Sequence, residues 1–541
     1  MVHRVVFAIM DGVGERSSDF GNAVNLARTP NLDSLKQNSL YRTLYAHGTY
    51  VGLPSDDDMG NSEVGHNALG AGRIIDQGAK LVQKAIGDGS IFQGKTWSDL
   101  VTNITKNNST LHLIGLLSDG NVHSHENHLY AIMNQAKKSG IHKVRIHVLT
   151  DGRDVGELTA KTYSERLEHH ISQLKDPKFD IAVASGGGRM NVTMDRYEAD
   201  WSIVHRGWDA HVHGKAPYKF PSLSAAIDYC QTELNLTDQY YPPFVIEEKG
   251  QPVGKINDND AVVFFNFRGD RAIEICRAFT EEQFSYFDRG QVPKVFFAGM
   301  MQYDGDLNIP PKYLVSPPKI NNTVSEYLVG KNIQQFACSE TQKYGHVTYF
   351  WNGNKSGYFS EKSEEYIEVP SDRVEFDQKP EMKAKEITDV LLEKIKDKSF
   401  DLGRINFANG DMVGHTGKLN AAIKAMEIVD QQIGRIVEAC EKTNTILVVS
   451  ADHGNCDEMF AANEKEFPDW QLGDPRKISP KTSHTLNPVP FIILDPSKRY
   501  TLCPNLEEAG LANVANTLLE LLDVETRDIY QPSVVRKKTN G

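Results

Sequence analysis

The feature that most constrains this chain is a rhythm. Short apolar runs of four to seven residues, many ending in Gly, Asp, Asn or Ser, alternate with amphipathic stretches of ten or more. Runs of that length suit strands buried on both faces, and the stretches between them suit crossover helices, so the pattern predicts parallel α/β structure. Strands are expected at RVVFAIM (4–10), LHLIGLL (111–117), VRIHVLT (144–150), DIAVAS (180–185), AVVFFNF (261–267), KVFFAG (294–299), TILVVSA (445–451) and VPFIIL (489–494). Helices are expected over 129–139, 161–173, 382–397 and 421–443, the last with Ile423, Met426, Val429, Ile433 and Val437 on one stripe. No internal repeat is visible.

At 541 residues, with 40% hydrophobic and 24% charged residues, the chain has ordinary globular composition and enough length for several domains. Two stretches read as crossings between domains: the glycine-studded region from Gly70 to Gly89, and the prolines Pro310, Pro311, Pro317 and Pro318. Two crossings of one hinge make a discontinuous outer domain, 1–80 with 319–541, around an insert, 81–318. The 59 Lys and Arg against 72 Asp and Glu leave a charge of −13, which argues against nucleic-acid and anionic-membrane partners. Six scattered cysteines without a CxxC pair, and no apolar run approaching the length of a membrane span, point to a reduced, cytoplasmic setting. The tail from Lys537 to Gly541 matches no address or prenylation signal. A small-molecule substrate and a monomeric state are expected.

In open α/β sheets, ligands bind beyond the carboxyl ends of the strands. Asp11 follows the first strand, Asp452 and His453 follow TILVVSA, and Asp411 and His415 follow an apolar stub at 405–408, while His484 precedes VPFIIL. One Asp after a strand is ordinarily a turn or cap residue, and one His is weaker evidence still. The joint set, with a hydroxyl from Ser62, suits two divalent first-row ions through mixed oxygen and nitrogen ligands. Asp411 and His415 could share a helix face or lie in a glycine-flanked loop. Ser62 lies in DDMGNSEVGHNALGAGR (57–73), whose glycines and asparagines suggest a tight loop; coordination to a cation would make its hydroxyl a competent nucleophile. His66 is read as structural support.

The central segment is chemically different. Arg153, Asp154, Arg189, Arg196, Arg268 and Arg271 all follow strand-like runs. A lone arginine is usually a surface ion-pair partner, but several converging in an acidic protein read as an anion clamp. His123, His125 and His128 form an HxHxxH pattern for which a substrate contact or a capping role is simpler than a metal site. Neither a Walker loop nor a GxGxxG fingerprint is present, so nucleotide binding is unsupported.

The motifs DGVG, MGNSEVGH, SDGNVHSH, GRD, MDR, FRGDR, DMVGHTG and SADHGN, in this order, resemble the cofactor-independent phosphoglycerate mutases over nearly the whole chain. SGGGRMNVTMDR, LVSPP and HVTYFWNGNKSGYF are similar to the plant and protist form of that family. The resemblance implies an alkaline-phosphatase-like metal domain with an inserted transferase domain. It implies isomerisation of 3-phosphoglycerate and 2-phosphoglycerate through a phosphoserine, in glycolysis and gluconeogenesis, without bisphosphoglycerate. Asp411, His415 and His484 would hold one manganese, with magnesium or cobalt as alternatives, and Asp11, Ser62, Asp452 and His453 the other. Ser62 would be the nucleophile, and Asp154 would move protons between the glycerate hydroxyls. His123, Arg153, Asp154, Arg189, Arg196, Arg268, Arg271 and Lys343 would bind substrate, Lys343 contacting the phosphoryl group from the metal-domain side. The spacing from Arg189 to Arg196 is one residue longer than in the short bacterial form, and Gly269 stands where alanine is more usual. The +4 of two divalent ions balances the −4 of three aspartates and a serine alkoxide, so an anionic substrate still needs the arginines. A metal-dependent phosphomonoesterase of the alkaline phosphatase superfamily, or a non-catalytic binding protein, would not require both sets of residues.

Overall fold

The computed structural model describes residues 4–53, 56–196, 200–303, 308–316, 318, 320–474 and 476–538. Pro317 in the second expected crossing, and Thr539 to Gly541 of the tail, lie outside the described residues. The chain divides into two units, Met1–Gln77 with Lys319–Gly541, and Gly78–Pro318. Each has its own hydrophobic core.

The first unit is built on a seven-stranded sheet in the order Glu364–Val369, Gln335–Glu340, Leu402–Phe407, Val5–Met10, Ile446–Ser450, Val489–Leu494, Leu40–Leu44. The first five run parallel. Val5–Met10 lies at the centre with every residue buried, which explains its unbroken apolar run. The register aligns Met10 with Phe407 and Ile9 with Ser450, so three strands end at one level. Val489–Leu494 pairs antiparallel with Ile446–Ser450, and Leu40–Leu44 antiparallel with it in turn. The residues before Val489 and those after Leu44 therefore reach the carboxyl edge of the parallel strands.

The second unit carries a sheet in the order Tyr313–Val315, Phe296–Met301, Ala261–Phe264, Leu111–Leu117, Lys143–Thr150, Asp180–Gly188, Phe244–Glu248, Tyr218–Phe220, with Gln251–Pro252 paired to Phe244–Glu248. The first six run parallel. The strand expected to end at 185 continues to Gly188. Its glycines are needed there, because a Cβ on Gly186 would lie 2.5 Å from the Val148 carbonyl oxygen and from the Phe244 ring. The strand expected over 261–267 stops at Phe264. Beyond it the Asn266 side chain takes over the ladder's role and accepts from Leu116 N at 2.9 Å. Among the described residues no helix is long and apolar enough to cross a membrane.

Candidate functional sites

At the carboxyl edge of the first sheet, Asp11 directly follows Val5–Met10, and Asp452 and His453 follow Ile446–Ser450. Asp411 lies in a one-turn helix, Asn409–Gly414, entered from Leu402–Phe407, and the His415 N–H bonds back to the Asp411 carbonyl at 3.0 Å. The glycine-flanked segment is thus helical. Lys343 follows Gln335–Glu340 within the short helix Thr341–Gly345. His484 arrives ahead of the reversed strand. Ser62 is the first residue of a helix, Ser62–Ala71, and not part of a loop. Asn61 caps that helix by accepting from Glu63 N and Val64 N at 3.0 and 3.2 Å. Its glycines serve close packing instead of turning the chain: a Cβ on Gly65 would lie 2.6 Å from the Asp452 carbonyl oxygen, and one on Gly70 would lie 1.9 Å from that of Trp351.

These residues converge. Asp411 Oδ1, His415 Nε2 and His484 Nε2 form a triangle with sides of 3.0, 3.2 and 3.0 Å. Ser62 Oγ lies 3.2 Å from Asp11 Oδ1 and 3.0 Å from His453 Nε2. Donor atoms of Asp11, Asp452 and His453 lie within 4.8 Å of one another, as do those of Asp411, His453 and His484, so His453 stands between the two groups. Lys343 Nζ donates to Ser62 Oγ at 2.5 Å and to Asp411 Oδ2 at 2.7 Å, and lies 2.7 Å from Asp11 Oδ1.

The surrounding shell orients each candidate ligand atom. His415, His484 and His453 donate from Nδ1 to the carbonyls of Thr482, Gly60 and Gly454 at 2.6, 2.7 and 3.2 Å, which leaves every Nε2 aimed at the carboxylates. His66 donates from Nδ1 to the Ser62 carbonyl at 2.8 Å and meets the Asn406 amide at Nε2, so it serves as structural support. Asp452 Oδ2 is buried and makes no hydrogen bond among the described residues; its nearest polar neighbour, His66 Nδ1 at 3.1 Å, is already given to the Ser62 carbonyl, which leaves the oxygen open to a cation. Burial penalises the charge on Asp11 and Asp411, yet Lys343 and the neighbouring histidines hold both well below the usual carboxylate range. Burial opposes charge on His453 too, but Asp452, Asp11 and Asp411 outweigh it and raise the ring to about 9. The field favours positive charge, and the mixed oxygen and Nε2 donors fit divalent transition metals.

A second cluster forms at the carboxyl edge of the second unit's sheet. His123 follows Leu111–Leu117, Arg153 and Asp154 follow Lys143–Thr150, Arg189 and Arg196 follow Asp180–Gly188, and Arg268 and Arg271 follow Ala261–Phe264. All seven are buried. Arg189 pairs with Asp154 and, at 2.7 Å, with Asp151. Arg268 Nε and Arg196 Nη1 lie 3.1 and 3.7 Å from Asp270. His123 Nδ1 lies 3.6 Å from Asp270, and Nε2 lies 3.9 Å from Asp154. Burial, and then Arg189, Arg268, Arg271 and Arg196, push His123 well below its usual range, which favours the neutral ring. Burial and three neighbouring arginines likewise destabilise the charge on Arg271, which makes the cluster receptive to an anion. His125 caps the helix Glu126–Lys138, accepting from Asn127 N at 3.1 Å.

Sequence reasoning missed Asp151 and Asp270, the carboxylates that hold the arginines in place, although Asp151 directly precedes GRD and Asp270 lies inside FRGDR. It also missed Asn406 and Asn455, which donate to Asp11 and Asp411 at 2.7 and 3.0 Å. No spacing rule marks a residue that acts behind a ligand.

The Metalloenzyme superfamily model matches residues 3–526. A protein from Leptospira interrogans, "Probable 2,3-bisphosphoglycerate-independent phosphoglycerate mutase", is 52% identical over 99% of this chain and 98% of its own length. The chain belongs to this family of mutases. A Trypanosoma brucei brucei member is 50% identical, covering 98% of this chain and 97% of its own. The crystal structure of Leishmania mexicana phosphoglycerate mutase at low cobalt concentration superposes with a TM-score of 0.95 at 48% identity, over 99% of this chain and 98% of that one. The family match makes the α/β architecture that of a two-domain metalloenzyme.

Proposed function

We propose that this chain interconverts 3-phosphoglycerate and 2-phosphoglycerate through a phosphoserine at Ser62, without bisphosphoglycerate and with two divalent ions, manganese foremost. Members of its family are isomerases that act as intramolecular phosphotransferases. The observation that carries the reading is the setting of Ser62: a buried hydroxyl at a helix N-terminus, between Asp11 and His453 and in contact with the Lys343 ammonium. A helix N-terminus and an ammonium both favour a phosphoryl group.

Asp411, His415 and His484 would hold one ion, and Asp11, Ser62, Asp452 and His453 the other. When bound, the ions supply positive charge that acidifies the serine hydroxyl and offsets phosphoryl charge. Ser62 gives up its hydroxyl proton to solvent, Oγ attacks phosphorus as the bond from phosphorus to the glycerate oxygen breaks, and Lys343 balances charge on the transferred oxygens. The arginines and His123 hold the glycerate. Asp154, oriented by Arg189, enters the cycle as the neutral acid, gives its proton to the departing glycerate oxygen and regains one from the other hydroxyl as that oxygen attacks the phosphoserine. Free cysteines at all six positions support a reduced cytoplasmic setting, and we infer a monomer.

The test is an enolase-coupled assay without bisphosphoglycerate. Mutase activity is expected, lost on exhaustive chelation and restored best by manganese. Release of free phosphate without isomerisation would replace this reading with a phosphomonoesterase.

A further inference from the structure

Three histidines outside the proposed chemistry form one hydrogen-bonded chain through the second unit. Asp260 Oδ2 lies 3.2 Å from His112 Nε2, and His112 Nδ1 lies 3.0 Å from His147 Nε2. His147 Nδ1 lies 2.7 Å from Ser185 Oγ, Ser185 Oγ lies 2.7 Å from His211 Nδ1, and His211 Nε2 lies 2.9 Å from Thr193 Oγ1. His112, His147 and Ser185 sit on three neighbouring parallel strands, and His211 ends the helix Trp201–His211. All six residues are buried, none more than 3% exposed.

The chain has a direction. The Asp260 carboxylate can only accept, and it also accepts from Thr110 N and Asn257 N at 2.8 Å each. His112 must therefore donate from Nε2 and, being neutral, accept at Nδ1. His147 then donates from Nε2 and accepts at Nδ1. Ser185 gives its single proton to His147 and accepts from His211 Nδ1, so His211 accepts at Nε2 from Thr193. Burial disfavours the charged form of all three rings, in keeping with one neutral tautomer each.

The far end of the chain is the arginine site. Thr193 is β-branched yet has a φ of +70°, a strained conformation that its surroundings must impose. Its hydroxyl is pressed against the helix, where a Cβ on Gly207 would lie 2.0 Å away. Thr193 lies between Arg189 and Arg196. The next residue, Met194, presents its carbonyl to Arg271 Nη1 at 2.6 Å, and Met190 Sδ lies 3.8 Å from Arg153 Nη1. The segment from Arg189 to Arg196 thus carries two of the arginines and touches two more.

We propose that Asp260, acting through His112, His147, Ser185 and His211, is a positioning network that fixes Thr193 and so holds the arginine set in the geometry that takes up a phosphoglycerate anion. This rests on the reading of those arginines as the substrate clamp. A packing role alone would need neither a fixed direction nor a terminus in that segment.

The test uses the full-length protein labelled with 15N-histidine. Imidazole spectra should show His112 and His147 protonated at Nε2 and His211 at Nδ1. In Asp260→Asn the amide can donate where the carboxylate accepted, so the reversal should pass down the chain and shift His211 toward the Nε2-protonated form. In steady-state kinetics Thr193→Val should raise KM about fivefold with kcat changed less than about twofold, and Thr193→Ser should restore KM. Ser185→Ala, which cuts the chain without touching the segment, should also raise KM and keeps the test open if Thr193→Val fails to fold. His211 protonated at Nε2 in the wild type, a change in Asp260→Asn confined to His112, or a folded Thr193→Val with unchanged KM would each overturn the proposal. An Arg271→Ala variant with unchanged KM alongside the expected tautomers would instead overturn the clamp reading.

Discussion

The reactivity proposed for Ser62 would come from its surroundings and not from the hydroxyl itself. A serine hydroxyl is a weak nucleophile near neutral pH, and here it is 2% exposed beside an ammonium, a carboxylate and an imidazole. Ser62→Ala removes that oxygen without disturbing the Asn61 cap, which is made by a different side chain. Turnover should fall by about a thousandfold or more while phosphoglycerate binding and the melting temperature stay near wild type. Mass spectrometry of quenched wild-type enzyme should place a phosphate on Ser62, and a phosphate on another residue would refute the assignment. In the arginine cluster, Arg189, Arg196 and Arg268 lie at ion-pair distance from Asp151, Asp154 and Asp270, while Arg153 and Arg271 bond to Met190 Sδ and the Met194 carbonyl, so five guanidinium groups against three acidic side chains leave a surplus of positive charge for an anion. Burial alone would raise Asp270, but Arg268 and Arg196 outweigh it and favour the ionised form, which offsets the repulsion between the two arginines and holds them in place.

At the scale of elements, the helix Ser62–Ala71 fits its place only because glycines face its neighbours. A Cβ on Gly65 would meet the Asp452 carbonyl oxygen at 2.6 Å, and backbone cannot swing aside as a flexible side chain can. Gly65→Ala should therefore cost about 2 kcal/mol of stability and lower kcat by separating Ser62 from Asp452. The control is Gly87→Ala, whose added Cβ meets nothing within 4 Å and which should be neutral or slightly stabilising. Equal stability and activity in Gly65→Ala would show that close approach does not set this site. This helix also marks a limit of sequence reading: glycine and asparagine suggested a loop because local composition does not reveal what lies opposite. The fully buried strands were legible from their unbroken apolar runs. Leu402–Phe407 was visible only as a stub, because Arg404 interrupts it. That arginine is wholly buried, donating to the Val347 carbonyl at 2.7 Å and lying over Trp351, a tertiary arrangement with no local signature. Periodicity identified Val489–Leu494 as a strand but carries no information on direction. Its reversal is what brings His484 to the ligand edge. The proposed ligands Asp11, Asp452 and His453 were legible because they directly follow strands, whereas Asp151, Asp270, Asn406 and Asn455 act through partners distant in sequence or unremarkable in type.

Over the whole molecule, the shifted histidines and acids of the two units favour opposite responses to acid. In the second unit, burial lowers His112, His123, His128, His147 and His211, with His128 and His211 brought to about 3. A histidine lowered in the folded state is neutral there but takes up a proton on unfolding below its ordinary value of 6.5, so its contribution is present above that pH and is lost as pH falls. Each fully shifted histidine should cost the unit about 1.4 kcal/mol on going from neutrality to pH 5.5. Asp151, raised chiefly by burial, works in the other direction but is a single group. In the first unit His453 is raised to about 9 and Glu340, by burial, to about 7. Both contributions are retained in mild acid and lost as pH rises through those values, while half-buried His47 is lowered and opposes them only in part. Metal-free protein should therefore lose the second unit first on acidification. Hydrogen exchange at pH 7.5 and 5.5 in subdenaturing urea, corrected for intrinsic rates, should show protection falling in Leu111–Leu117 and Lys143–Thr150 but not in Val5–Met10 or Ile446–Ser450. A uniform loss across both sheets would mean that the two units unfold as one and that the buried histidines do not set the acid limit.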